Sequence, residues 1–149
     1  MERSASPDTV SNGTAARGAP AERRRRIVVL DDEVSIQRLL RVILEGEGYE
    51  VLATDDGQEA LDIVARQPVD LIIQDLRMPK MDGLTFLRVL KERDPSVPSI
   101  VLTAFGTFET AIEAMRLGAY THLDKPFDTE EMREIVARAL ERVEMKRRS

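Results

Sequence analysis

Five polar side chains in this sequence stand where apolar runs end. Asp31 and Asp32 follow Ile27–Leu30, Asp75 follows Val69–Gln74, Thr103 follows Ser99–Leu102, and Lys125 comes two residues after Tyr120–Leu123. Three carboxylates, a hydroxyl and an ammonium brought to one edge of one sheet suit a divalent cation and a phosphoryl group. Hard oxygen donors favour Mg²⁺, which takes one or two carboxylates plus a phosphate and keeps several waters. A backbone carbonyl just past Asp75, at Arg77, is expected to complete that shell. A carboxylate can attack a phosphoryl donor and hold the product as an acyl phosphate. Such transfer requires the charge on the equatorial oxygens to be neutralised. Mg²⁺ would serve one oxygen, Lys125 a second as a point charge, and Thr103 a third by hydrogen bond, with Ala104 small enough to leave access. Taken one at a time, these residues have blander readings. Asp31-Asp32-Glu33 could cap a helix and suit the positive end of its dipole. Thr103 could cap the next helix, and Lys125 could be a solvated surface lysine. None of these explains why several strand ends carry such groups together.

The elements that must position these residues alternate along the chain. The apolar runs Ile27–Leu30, Tyr49–Ala53, Val69–Gln74, Ser99–Leu102 and Tyr120–Leu123 read as strands. Between them lie stretches with helical spacing. The first carries Ile36, Leu39, Leu40, Ile43 and Leu44, and is stopped by Gly46 and Gly48. Asp56 is the expected cap of a second helix with Ala60, Leu61 and Val64. Asp82 is the expected cap of a third with Leu84, Leu87 and Leu90. A fourth carries Phe108, Ala111, Ile112 and Met115 and ends at Gly118. The fifth opens at Asp128-Thr129-Glu130-Glu131 and continues through Met132, Ile135, Val136, Ala139, Leu140 and Val143. Five β–α units with nearly continuous apolar strands imply an α/β fold: a parallel sheet, doubly wound by right-handed crossovers, with helices on both faces. Such a sheet places its ligands at the carboxyl edge, where the strand order reverses. Lys125-Pro126 at the last strand exit is a candidate cis bond.

Composition narrows the function. The chain has 149 residues, no cysteine and one histidine, so disulfides and thiolate or multi-histidine metal sites are excluded. No apolar stretch approaches the length of a membrane span, and no signal-peptide core opens the chain, which reads as a cytoplasmic protein without membrane contact. Residues 1–26 carry six Arg against three acids, while residues 27–149 carry 16 Lys and Arg against 24 acids. The acidic body argues against direct nucleic acid binding. The run Arg23-Arg24-Arg25-Arg26 reads as a solubilising edge before the first strand. Residues 1–22, rich in Ser, Ala, Gly, Pro and Thr, have too little apolar surface to order and are expected to be disordered.

Four segments together resemble the receiver domain of two-component response regulators: Leu30-Asp31-Asp32-Glu33, Gln74 to Leu84 with its Asp75-Leu76-Arg77-Met78-Pro79 core, Leu102-Thr103-Ala104, and Asp124-Lys125-Pro126-Phe127. The 28-residue step from Asp75 to Thr103 and the 50-residue step from Asp75 to Lys125 are most similar to receivers of the nitrogen-regulation class. The resemblance covers residues 26–145 and leaves a tail at 1–25 and a charged end at 146–149. It implies a flavodoxin-like strand order, 2-1-3-4-5. It also implies that Asp75 accepts phosphate from a sensor histidine kinase or a phosphotransfer protein. Mg²⁺ would be held by Asp31, Asp32, Asp75 and the Arg77 carbonyl, and Thr103 and Lys125 would sense the phosphate. A receiver catalyses its own phosphorylation and, as a rule, its own slow dephosphorylation, and acts as a switch rather than a conventional enzyme. The output surface would be the fourth helix, fifth strand and fifth helix, acting on a downstream protein target as a monomer or a phosphorylation-dependent dimer. With no DNA-binding domain or ATPase after Met145, the chain is read as a stand-alone receiver.

Two positions depart from the family pattern. His122 replaces the Tyr or Phe usual three residues before the lysine, where the ring moves inward as the threonine engages phosphate. Asp124 replaces the proline common in this class, and is expected to weaken the pull of Lys125 on phosphate. The loop Ala104-Phe105-Gly106-Thr107 is expected to move with Thr103, and Arg77 and Phe105 to tune the phosphoryl lifetime. Two other chemistries fit less well. Phosphohydrolases with an aspartyl phosphate typically place a second Asp two residues after the nucleophile, where this chain has Arg77. A flavodoxin-like cofactor binder needs a phosphate-cradling loop after the first strand, and Asp31-Asp32-Glu33 would repel one.

Overall fold

The computed structural model describes residues 23–104 and 108–148. The expected disorder of residues 1–22, and the expectations for Phe105, Gly106 and Thr107, lie outside the described residues. The strands are β1 (Arg26–Leu30), β2 (Glu50–Thr54), β3 (Leu71–Asp75), β4 (Ser99–Thr103) and β5 (Thr121–Asp124). The helices are α1 (Val34–Gly46), α2 (Gly57–Arg66), α3 (Gly83–Arg93), α4 (Phe108–Arg116) and α5 (Thr129–Arg148). All strand pairings are parallel, in the order β2-β1-β3-β4-β5. The doubly wound sheet and its expected order are both present. The strand order reverses between β1 and β3, so the chain ends of those two strands define the crevice.

Alternation along each strand assigns its side chains to the two faces. Ile27, Val29, Leu71, Ile73, Ile100 and Leu102 meet the buried stripes of α1 and α5. Val28, Leu30 and Ile72 face α2 and α3, and Val101 faces α3 and α4. Burial on both faces explains why the strands read as apolar runs rather than as alternating patterns. Each fully buried Leu, Ile or Phe adds about 1.5–3 kcal/mol relative to exposure.

The expected caps form. Asp56 accepts from the backbone N–H of Gln58 and Glu59, Asp82 from that of Thr85, and Asp128 from that of Glu131. Gly48, two residues past the end of α1, turns the chain with φ of +92°, a conformation that glycine adopts without strain. Gly46 stays inside α1.

Four expectations fail in detail, the first two because tertiary placement decides which helix face is covered. Leu39 is 41% exposed, and the buried stripe of α1 is Leu40, Ile43 and Leu44. On α4 only Ala111 and Ala114 are buried, whereas Phe108, Ile112 and Met115 face solvent. The arginine run is more than a solvated edge. Arg23 pairs with Asp70, Arg25 with Glu144 and Arg26 with Glu50, and the Arg26 backbone N–H also donates to Asp70. Val69 and Asp70 precede β3 rather than opening it.

Candidate functional site

The expected polar residues converge at the carboxyl edge. β1 ends at Leu30 and β3 at Asp75, and the strands are paired in register with Leu30 opposite Gln74. Asp31, the first residue past β1, therefore lies beside Asp75. One carboxylate oxygen from each of Asp31, Asp32 and Asp75 falls within 4.8 Å of the others. Asp31 is 0% exposed and Asp75 5%, while Asp32 faces solvent.

Lys125, just past β5, enters the same cluster. Its ammonium lies 3.0 Å from Asp75 Oδ2, 3.0 Å from Asp31 Oδ2 and 2.7 Å from Glu33 Oε1. Burial by itself lowers the pKa of this ammonium, but its close contacts with the Glu33, Asp31 and Asp75 carboxylates outweigh that and raise it above its ordinary value. Lys125 is therefore a permanent cation here. The Lys125–Pro126 bond is cis.

Asp31 sits under opposing influences. Burial raises its carboxyl pKa most, and Asp75 adds to the rise. The Glu33 backbone N–H, 2.9 Å from Oδ1, and Lys125 oppose it without cancelling it. Its Oδ2 is wholly buried and meets Lys125 as an ion pair without an aligned hydrogen bond. Four carboxylates around one ammonium leave a formal charge of −3. An all-oxygen donor set with this excess of negative charge fits a hard divalent cation such as Mg²⁺.

The loop after Asp75 is held by contacts that sequence reasoning missed. Gln74 is fully buried; its Nε2 donates to the Gly83 carbonyl at 3.0 Å and its Oε1 accepts from Ser99 Oγ at 2.9 Å. This amide spans β3, β4 and the start of α3. Gly83 itself must lack a side chain, because a Cβ there would lie 2.5 Å from Leu76 Cα and 2.7 Å from the Asp75 carbonyl oxygen. The loop 76–82 is thereby folded back on the end of β3. Within it, the Arg77 backbone N–H donates to Asp75 Oδ1 at 3.1 Å, which puts the residue 77 backbone against the central carboxylate. A buried amide inside an apolar run was the signal for Gln74.

Thr103 is the last residue of β4, and Asp124 is its register partner on β5. The Thr103 hydroxyl donates to Asp124 Oδ1 at 2.8 Å. This corrects the expectation for Asp124: its carboxylate engages Thr103, and the ion pairs of Lys125 run to Asp31, Glu33 and Asp75. Glu33, for which capping is one of the two sequence readings, stands at the N-cap of α1 without a side-chain capping bond and places its carboxylate on Lys125 instead. His122 lies opposite Val101 on β5 and is exposed. Among the described residues no helix is long and apolar enough to cross a membrane.

Residues 27–137 match the response regulator receiver domain family. The chain is 37% identical over 115 residues to sporulation initiation phosphotransferase F of Bacillus subtilis, covering 77% of this chain and 93% of that protein. It is 38% identical over 122 residues to the regulatory protein AtoC of Escherichia coli, covering 82% of this chain and 26% of AtoC, so it spans about a quarter of that relative. A receiver domain structure from Clostridium thermocellum superposes with a TM-score of 0.77 at 33% identity, over 81% of this chain and 98% of that one. With its motifs at one sheet edge and this match over most of its length, the chain belongs to the receiver domain family of two-component response regulators, the phosphorylation-dependent switches of those systems.

Proposed function

We propose that Asp75 is the phosphoryl acceptor, that Asp31, Asp32, Asp75 and the Arg77 carbonyl hold Mg²⁺, and that Thr103 and Lys125 read the phosphoryl group. The observation that carries this reading is the convergence of three aspartates within 4.8 Å with the Lys125 ammonium 3.0 Å from Asp75. When bound, Mg²⁺ supplies charge neutralisation to the phosphoryl oxygens. An Asp75 carboxylate oxygen attacks phosphorus, a P–O bond forms as the donor's P–N bond breaks, and the released imidazole keeps the electron pair and takes a proton. Lys125 exchanges part of its carboxylate contacts for a phosphoryl oxygen. Thr103 donates its hydroxyl hydrogen to another.

The donor is a sensor histidine kinase or phosphotransfer protein, and the setting is the cytoplasm. Phosphorylation adds roughly −1.5 to −2 charges at one carboxylate. That bias acts on the β4–α4 region through Thr103, and the readout is the α4–β5–α5 face. Phe108 (74% exposed), Ile112 and Met115 give α4 an apolar surface suited to a downstream protein or to a second copy of the chain. His122 lies beside this route as the residue that replaces the usual aromatic ring.

The test is phosphorylation by a panel of purified histidine kinases, read on the native chain and on Asp75→Asn. Transfer from at least one kinase, lost in the variant, is expected. Transfer that survives Asp75→Asn sinks the assignment. An Asp75→Asn chain that engages its target like the phosphorylated native chain sinks the switch.

A further inference from the structure

The hydroxyl that would read the phosphoryl group is already committed elsewhere. Thr103 has one hydroxyl hydrogen, and it is donated to Asp124 Oδ1 at 2.8 Å. The two residues are register partners on adjacent parallel strands, so their side chains rise from the same face of the sheet. Thr103 is 2% exposed, so its hydroxyl has little access to water and needs a protein acceptor or a phosphoryl oxygen. Asp124 is exposed, so its carboxylate is hydrated whenever the bond opens. An ionised acceptor makes the bond stronger than one between neutral groups. An aspartate is also an unfavourable choice for a strand position, where β-branched and aromatic residues fit better.

From these contacts we infer that Asp124 is a positioning residue: it withholds the Thr103 hydroxyl from the phosphoryl site, and so sets how much phosphoryl binding must contribute to switch the domain. The inference rests on Asp75 being the acceptor. Two acceptors compete for one hydrogen, and the domain partitions between them according to their relative strength. Removing Asp124 removes one competitor. The acceptor Leu123 carbonyl, 3.4 Å from Thr103 Oγ1, remains as a weaker alternative. Lys125 is not the route of the effect, since its ammonium is engaged by Asp31, Glu33 and Asp75.

The experiment titrates the chain with beryllofluoride in saturating Mg²⁺ and follows amide NMR shifts of residues 108–124. It uses the native chain, Asp75→Asn, Asp124→Ala, Asp124→Asn, Thr103→Ala and the double variant Asp124→Ala/Thr103→Ala. Asp124→Ala is expected to bind beryllofluoride about fivefold tighter than the native chain, the size of one hydrogen bond. Its unliganded spectrum should move part of the way toward the bound one. Asp124→Asn, which keeps a neutral acceptor, should gain less. In the Thr103→Ala background, Asp124→Ala should gain nothing. Binding by the native chain with no gain in Asp124→Ala overturns the inference alone. So does an equal gain in Asp124→Asn that persists without Thr103, because that is simple charge removal. No binding by the native chain, or binding that survives Asp75→Asn, overturns the acceptor assignment and the inference with it.

Discussion

Two aspartates are buried almost completely, at opposite edges of the same sheet, and they are treated differently. Asp70, just before β3 at the amino edge, accepts from the Arg26 backbone N–H at 2.8 Å and from Arg23 Nη1 and Nη2 at 3.0 and 3.3 Å. Asp31, just past β1 at the carboxyl edge, has one backbone donor and an ion pair, and shares its surroundings with Asp32, Asp75 and Glu33. Burial of a charge is unfavourable unless donors or opposite charge compensate it. At Asp70 a fork and an amide do so, which makes a structural staple. At Asp31 the compensation is partial, and its carboxyl pKa is raised mainly by burial. The difference teaches that a buried acid short of donors and crowded by like charge marks the site, and a buried acid saturated with donors marks the scaffold.

This contrast can be broken by four measurements. The largest effect belongs to Asp75→Asn, which should abolish Mg²⁺-dependent phosphorylation from acetyl phosphate; hydroxylamine-labile label at the native level on the variant would remove Asp75 as the acceptor. Next is Asp31→Asn. It should weaken Mg²⁺ binding at least tenfold, since an anionic oxygen ligand is lost, while urea unfolding without metal shows no comparable loss because the buried charge is gone. A large fall in metal-free stability would make Asp31 a staple like Asp70. The reverse pattern is expected of Asp70→Ala. Leaving the Arg26 amide and Arg23 without their acceptor should cost about 2–4 kcal/mol in urea unfolding, with Mg²⁺ affinity within about twofold of native, as expected for independent sites. The smallest effect is Arg23→Ala. Its side chain is 35% exposed, so the pair is screened by solvent and its loss should cost no more than about 1 kcal/mol, shrinking further at high salt.

The staple was illegible in the sequence for a specific reason. Arg23 and Asp70 are 47 positions apart, and only the pairing of β1 with β3 brings them together. Asp31, Asp32, Asp75, Thr103 and Lys125 are also far apart in sequence. They were legible because each stands at or just after the end of an apolar run, and a parallel sheet gathers all such ends at one edge. The partner of Glu33 is not local: a carboxylate at a helix start is a common cap, whereas here it turns to the lysine. Adjacency in sequence points Asp124 to Lys125, but strand register gives it to Thr103. Gln74 reads in sequence as part of an apolar run, although its amide ties β4 and α3 to the end of β3.

Apolar periodicity, the caps at Asp56, Asp82 and Asp128, and the polar residues at strand exits are local properties. The amino-acid sequence alone therefore determined the doubly wound sheet, the edge that carries the site and the family to which the chain belongs. Tertiary structure decided which acids Lys125 pairs with, which hydroxyl Asp124 holds, and which apolar side chains of α1 and α4 remain in solvent. These depend on strand register and on which helix covers which face, and both arise only when segments distant in sequence pack together.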